Sequence, residues 1–258
     1  MCYIIQSAKK NFMYNIDHLE LFSFAKKQES TYQLNAPFPH IVIDDFLPEQ
    51  SYNKIKKAFP KKHDEIWKTP TNIHTVGKSV TRNGEFSLKE LGYSKNAQAF
   101  FHQLNSGLFL TFLEKLTGIN GLLPDPYFSE GGFHRMTKDG YLDIHADFSH
   151  SDRLGLERRL NLILYLNDSW KDSYNGQLGL YDQDLNKKVS ISPIGNRAVI
   201  FTTSDHSYHG HPDPLTCPKN RYRRSIALYY YSLPTKNRKK SKIVFPEDSK
   251  FNVDATLD

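Results

Sequence analysis

Cysteine is nearly missing from this chain: Cys2 and Cys217 are the only two in 258 residues. They lie far from zinc-ligand spacing and are too few for a disulfide framework, which excludes a cross-linked scaffold and points to a reducing compartment. Long apolar runs are missing as well. No segment approaches the roughly 20 apolar residues that a membrane span needs. In Met1 to Lys10 the lysines follow the apolar residues instead of preceding them, unlike a secretory leader. The expected location is therefore cytoplasmic, with no membrane partner. Repeats and low-complexity segments are absent too. A net charge of +6 is modest. Much of it sits in Lys236-Asn-Arg238-Lys239-Lys240-Ser-Lys242, read as a solvated tail more readily than as a nucleic-acid surface.

What is present is one core's worth of apolar residues. Hydrophobic residues make up 38% and aromatic residues 13%, enough to exclude wholesale disorder. A chain of this length commonly holds one domain. The expectation is a single domain over 1–258, with its core in 35–232 and a basic tail in 233–258. The front half reads as helical. Tyr52, Ile55 and Phe59 share helical spacing within Pro48 to Phe59. From Ser94 to Thr117 a stripe runs through Ala97, Phe101, Leu104, Leu108, Phe112 and Leu116. Ser106-Gly107 can divide that stretch into two helices, with Ser106 as a cap and Gly118 as the stop. Trp67 to Glu85 is polar and aperiodic, suiting either a lid over a site or a plain surface loop. The back half supplies short strands at about 141–147, 160–166, 178–181, 188–192, 197–202 and 223–232. That spacing predicts a mainly β, α+β fold: a double-stranded β-helix, or jelly-roll barrel, with the front helices packed on one sheet.

The most informative pattern is His145-Ala-Asp147. Along a strand successive side chains alternate between faces, so His145 and Asp147 point one way and Leu142, Ile144 and Ala146 the other. Two histidines and a carboxylate make a facial iron triad with one side open. The second histidine is sought in Asp205-His206-Ser-Tyr-His209-Gly-His211-Pro. His209 is favoured, ahead of His211 and then His206, because Gly210 and Pro212 mark a turn where a strand ends beside the metal. Alanine at any of the three ligands is expected to remove the metal and leave the fold largely intact.

Arg223 to Ser232 alternates likewise. Ile226, Leu228 and Tyr230, with Arg224, form a set suited to packing. Arg223, Ser225, Ala227 and Tyr229 form the other, a lining for a narrow polar pocket. A planar guanidinium grips a carboxylate through two parallel hydrogen bonds. Arg223 is thus the candidate anchor for a dicarboxylic co-substrate, with Ser225 as helper. Asn161 lies on a strand whose inward face the sequence leaves undecided.

These motifs occur in order. Gly131-Gly-Phe-His134, His145-Ala-Asp-Phe148, Arg159-Leu-Asn161 through Asn167, Trp170, Gly176-Gln-Leu, Pro193 to Phe201, Ser207-Tyr-His209-Gly and Arg223-Arg-Ser-Ile-Ala-Leu-Tyr-Tyr-Tyr231 resemble the prolyl 4-hydroxylase-like group of 2-oxoglutarate/Fe(II)-dependent oxygenases. Pro37-Phe-Pro-His40 to Pro48 resembles the opening strand of that group. The resemblance implies His145, Asp147 and His209 as iron ligands and catalytic centre, and Arg223 as the 2-oxoglutarate anchor. It implies Fe(II), 2-oxoglutarate and O2 as cofactor and co-substrates, with ascorbate as a candidate reductant. The implied reaction hydroxylates an unactivated C–H bond and releases succinate and CO2. The implied substrate is a prolyl or other amino-acid unit, free or in a peptide, with a glycan or other small metabolite as the alternative. Two departures bear on substrate. Collagen-type prolyl hydroxylases carry lysine at the anchor, and Met136 and Leu142 stand where tyrosines are common. The strand after the anchor lacks the second arginine of nucleic-acid demethylases, so a nucleic-acid partner is not expected. Two other classes stay open at this level. A metal-dependent hydrolase or isomerase on the same barrel would not need Arg223. A non-catalytic binding module would be expected to have lost a ligand.

Overall fold

A computed structural model describes residues 17–69, 74–81, 88–128, 131–235 and 240–246. Four helices and twelve strands follow in this order among the described residues: α1 His18–Leu34, β1 His40–Ile43, α2 Glu49–Lys57, β2 Trp67–Lys68, β3 Thr75–Thr81, α3 Lys95–Leu104, α4 Gly107–Thr117, β4 Leu123–Pro124, β5 Gly132–His145, β6 His150–Ser151, β7 Leu156–Tyr165, β8 Leu178–Tyr181, β9 Lys187–Ile191, β10 Ala198–Thr202, β11 His209–His211 and β12 Arg223–Ser232. The helix boundaries follow local chemistry. Ser94 and Ser106 each accept a hydrogen bond from a first-turn amide, that of Ala97 and of Phe109. Gly118 closes α4 at φ 72°, where a side chain would be strained. The break at Asn105–Ser106 resets the helical phase. Phe109, Phe112, Leu113 and Leu116 face the core, while Leu108, expected in the stripe, is 52% exposed. Helix α1 gave no clear periodic signal. Its fully buried anchors are Ala25 and Tyr32, and the Tyr32 hydroxyl reaches Thr202 Oγ1 at 2.8 Å.

The strands form one curled antiparallel sheet, in the order β1-β10-β7-β12-β5-β11-β8-β9. Period-two alternation sorts its side chains into two layers. Leu160, Leu162 and Leu164 of β7, Ala198 and Ile200 of β10, and Ile226, Leu228 and Tyr230 of β12 pack outward against the helices. Val199, Phe201, Leu178, Leu180 and Tyr165 fill the inside of the curl. The mainly β jelly-roll with helices on one sheet is thus the observed fold. Asn161 and Ile163 belong to the inner layer and line the central cavity.

Three expectations need correction. The described part of 67–85 is not a plain surface loop. Residues β2 and β3 pair with each other, β3 pairs with β5, and Lys78 lines the cavity. Residues 70–73 and 82–85 of that segment lie outside the described residues. The stretch read as a solvated tail folds back in part. Val244 and Ala146 exchange backbone hydrogen bonds of 2.9 and 3.0 Å, and Ser241 donates its amide to Ser149 Oγ at 2.8 Å. Finally, Leu142 lines the cavity instead of packing away from it. Opposite β11, His209 pairs with His145 but His211 pairs with Leu142, so an extra residue in β5 shifts the alternation.

Candidate functional site

The bulged end of β5 and the start of β11 bring His145, Asp147 and His209 together. Their ligand atoms all lie within 4.8 Å of one another, and the three residues are buried. They are the one such cluster among the described residues. Gly210 does not make the expected turn. It is the middle residue of β11, and a Cβ there would lie 2.6 Å from the Asp143 carbonyl oxygen. Glycine at this position lets β11 approach β5 closely enough to bring the two histidines side by side, with ring centroids 4.4 Å apart.

Each imidazole is oriented by its own strand. Nδ1 of His145 sits 2.8 Å from the Asp143 carbonyl oxygen, and Nδ1 of His209 sits 2.9 Å from that of Ser207. Both Nε2 atoms are turned to Asp147, at 3.6 Å from its oxygens. Such a bond at one ring nitrogen presents the other as a metal ligand. Burial pushes His209 down to about 4, so the ring is neutral at physiological pH. Burial alone would raise the Asp147 carboxyl. Arg158, His209 and His145 outweigh it and hold Asp147 well below the usual carboxylate range.

Arg158 and Asn161 complete the setting of Asp147. Asp147 Oδ2 accepts from Arg158 Nη2 at 2.9 Å and from Asn161 Nδ2 at 2.6 Å. Asn161 Oδ1 in turn accepts from Arg158 Nε and Nη2. One carboxylate oxygen is thereby committed, and Oδ1 remains to bind a metal. Period-two reading places Arg158 on the outer face with Leu160, so the sequence does not single it out. The structure explains the failure. Tyr230 pairs with Leu160 but Tyr231 pairs with Arg158, which leaves Arg159 as a bulged residue and turns Arg158 inward. His206 is exposed, whereas His211 faces the same cavity as the triad without joining the cluster. Two imidazoles and one carboxylate oxygen, with an open side toward the cavity, fit a facial-triad ferrous site.

Arg223 and Ser225 line the same cavity, with Ala227 and Tyr229, as the alternation of β12 requires. The partners of the Arg223 guanidinium are the Gly176 carbonyl, 2.7 Å from Nε, and the Tyr165 hydroxyl, 3.2 Å from Nη2. Ser225 contributes lining and is not one of those partners. Among the described residues no carboxylate pairs with Arg223, although it is buried, and that desolvation pulls its pKa down. A buried cation set opposite an open cavity suits an anionic ligand. Met136 and Leu142 form the apolar wall nearby. Gly176 adopts φ +82°, and a Cβ there would lie 2.5 Å from Leu215 Cδ2 and 3.0 Å from Arg223 Cδ. A Gly176→Val protein is therefore expected to fold with a displaced Arg223 and to need about tenfold more dicarboxylic ligand for half-saturation. Equal affinity in the two proteins would mean that the guanidinium is not held by this contact. A larger open groove of about 790 Å³ lies between Lys57–Ile66 and Glu90–Ser94, but holds no metal-ligating cluster. Size does not locate the site.

Comparison with known proteins agrees with this geometry. The model of the 2OG-Fe(II) oxygenase superfamily matches residues 131–231, which carry the triad, Arg158, Asn161 and Arg223. The chain is 26% identical over 206 residues to the prolyl 3-hydroxylase OGFOD1 of Mus musculus, covering 76% of this chain and 33% of that protein. It thus spans about a third of the length of that curated relative. Among solved structures it resembles a prolyl hydroxylase from Trichoplax adhaerens in complex with a hypoxia inducible factor peptide (TM-score 0.60, 17% identity, 83% of this chain and 91% of that one). It also resembles HygX of Streptomyces hygroscopicus with nickel, 2-oxoglutarate and hygromycin B bound (TM-score 0.52, 13% identity, 80% and 86%). These two likenesses are of fold. No helix among the described residues is long and apolar enough to cross a membrane. Triad, anchor and matched sequence coincide on one barrel, and residues 131–231 match the 2OG-Fe(II) oxygenase superfamily, whose cofactor and co-substrate are Fe(II) and 2-oxoglutarate.

Proposed function

We propose that this chain acts as a single oxygenase domain, hydroxylating an unactivated C–H bond of a prolyl or other amino-acid unit, with release of succinate and CO2. The observation that carries the reading is the shared cavity. The His145, Asp147 and His209 ligand atoms and the Arg223 guanidinium open into one space, as a reaction needing both a metal and a dicarboxylic co-substrate requires. A water-activating hydrolase would have no use for the buried Arg223. Fe(II) with 2-oxoglutarate supplies, when bound, the oxidising power for C–H cleavage. The protein's part is positional. His145, His209 and Asp147 Oδ1 hold the metal, Arg158 and Asn161 keep Asp147 ionised and oriented, and Arg223 fixes the co-substrate by its far end. Support for a prolyl unit comes from the mouse relative, a prolyl 3-hydroxylase. The scarcity of cysteine supports a reducing compartment, and we place the chain in the cytoplasm.

The test feeds the iron-loaded protein and 2-oxoglutarate with free amino acids, proline-containing peptides, and representative glycan and nucleotide metabolites. The expected result is a proline-containing product heavier by one oxygen atom, matched mole for mole by succinate. Oxygen gained only by a glycan or nucleotide would sink the amino-acid assignment and keep the oxygenase one. Hydrolysed product without succinate would sink both.

A further inference from the structure

His211 is not used by the triad, yet it is 4% exposed and faces the same cavity. Its Nδ1 is buried and has no hydrogen-bond partner. A buried polar atom without a partner is costly in a folded protein and calls for an explanation, and one that faces a cavity can be satisfied by what binds there. Its neighbours indicate which ligand. Arg223 on β12 pairs across the sheet with Met136 on β5, and Met136 pairs with Lys78 on β3. Arg223 and Lys78 therefore flank Met136, and all three line the cavity. His211 pairs with Leu142, farther along the same β5 strand, and lines the same cavity as Arg223 and Lys78. A residue with a guanidinium, one with an ammonium and an imidazole with a spare nitrogen thus line one cavity. The one carboxylate among the lining residues is Asp147, which belongs to the triad.

Resting on the oxygenase reading above, we propose that His211 and Lys78 join Arg223 as binding residues for the far carboxylate of 2-oxoglutarate. Three donors around one carboxylate select a dicarboxylic 2-oxo acid over a monocarboxylic one, because their hydrogen bonds are left unmade when that group is missing. Arg223 gives the planar contact. Lys78 adds a point charge from the β3 side, and His211 adds a directed N–H from the β11 side.

The test uses the Fe(II)-loaded protein without oxygen and reads the visible charge-transfer band while 2-oxoglutarate or 2-oxobutyrate is titrated. The two acids share the metal-chelating head, and 2-oxobutyrate lacks the far carboxylate. His211→Val and Lys78→Met are each expected to raise the 2-oxoglutarate Kd about tenfold or more and to leave the 2-oxobutyrate Kd unchanged. His211→Asn, which retains an N–H donor near the Nδ1 position, is expected to recover part of the loss. Metal content and melting temperature are measured on every variant. Equal weakening of both acids would assign His211 to support of the metal and overturn the proposal, as would unchanged 2-oxoglutarate binding in both variants. A band in the unsubstituted protein with no change in the variants removes this inference alone. No band in the unsubstituted protein removes the oxygenase reading with it.

Discussion

An Asp147→Ala protein is expected to hold no stoichiometric iron and to lose about 3 kcal/mol of apoprotein stability, near the lower end of the range for breaking a buried ion pair. The loss of iron follows from the donor set, since two imidazoles alone leave the ferrous ion without its anionic ligand. The loss of stability follows from Arg158. Its side chain is 2% exposed and its Nη2 lies 2.9 Å from Asp147 Oδ2. Truncating the carboxylate takes this counter-charge away from a buried guanidinium. Asn161 Oδ1 still accepts from it, and the Tyr229 ring still lies 3.6 Å away, which tempers the penalty. For Asp147 these surroundings revise the sequence-based expectation that alanine at a ligand spares the fold. His145→Ala and His209→Ala leave no comparable charge behind and are expected to lose iron with much less loss of stability. Arg158→Met removes the cation, keeps all three ligands, and is expected to weaken iron binding about 10- to 100-fold, as changes to groups that orient a ligand do. Iron per chain and urea unfolding of the apoproteins check all four variants. If Asp147→Ala apoprotein were as stable as the unsubstituted one, the Asp147–Arg158 pair would not be contributing to the fold.

Much of this site was legible in the sequence because two short segments obey strict alternation. Arg223, Ser225, Ala227 and Tyr229 line the cavity, and Ile226, Leu228 and Tyr230 pack under the helices, as period two in β12 demands. His145 and Asp147 share a face for the same reason. The reading failed wherever a strand gains a residue relative to its partner, because one extra residue inverts every assignment beyond it. Leu142 turned inward by the shift opposite Gly210, and Arg158 by the bulge at Arg159. A third irregularity, where Gly77 faces the Met136–Tyr141 excursion of β5, lies in the segment read as loop or lid. None of these has a local sequence mark, since each is fixed by the register of two distant strands.

The helical half shows the complementary limit. Caps are local, so Ser106 and Gly118 were readable, but phase across a break is not, and Leu108 was placed on the wrong side. Helix α1 escaped notice because only two of its seventeen residues are buried, too few to make a stripe. The return of Ser241–Phe245 to the edge at Ala146 was likewise hidden. Its backbone hydrogen bonds depend on no side-chain pattern, and the lysines around it read as a solvated run.

Arg223→Ala is expected to raise the 2-oxoglutarate Kd at least 10- to 100-fold, while Arg224→Ala changes it less than about threefold. The two arginines are neighbours in sequence and face opposite sides of β12. Arg223 is buried in the cavity beside Tyr165 and Gly176, where a carboxylate would meet a desolvated guanidinium already held in place. Preorganisation of this kind makes the truncation expensive, because the ligand's charge then loses both its hydrogen bonds and its counter-ion in a poorly solvated space. Arg224 lies on the helix side, with its guanidinium 5.5 Å over the Phe59 ring. The contacts of its main chain, an amide donated to Asn167 Oδ1 and a carbonyl that accepts from Asn167 Nδ2 and the Leu166 amide, survive the substitution. Arg223→Lys keeps the charge but loses the planar fork and the Gly176 bond, and is expected to fall between. The binding titration with 2-oxobutyrate serves as the control, since an acid without the far carboxylate has nothing to lose when Arg223 is cut back. Loss of 2-oxoglutarate affinity in Arg224→Ala with retention in Arg223→Ala would mean that β12 sits one residue out of the register described. Equal losses for both acids in Arg223→Ala would mean that the guanidinium supports the barrel and not the co-substrate.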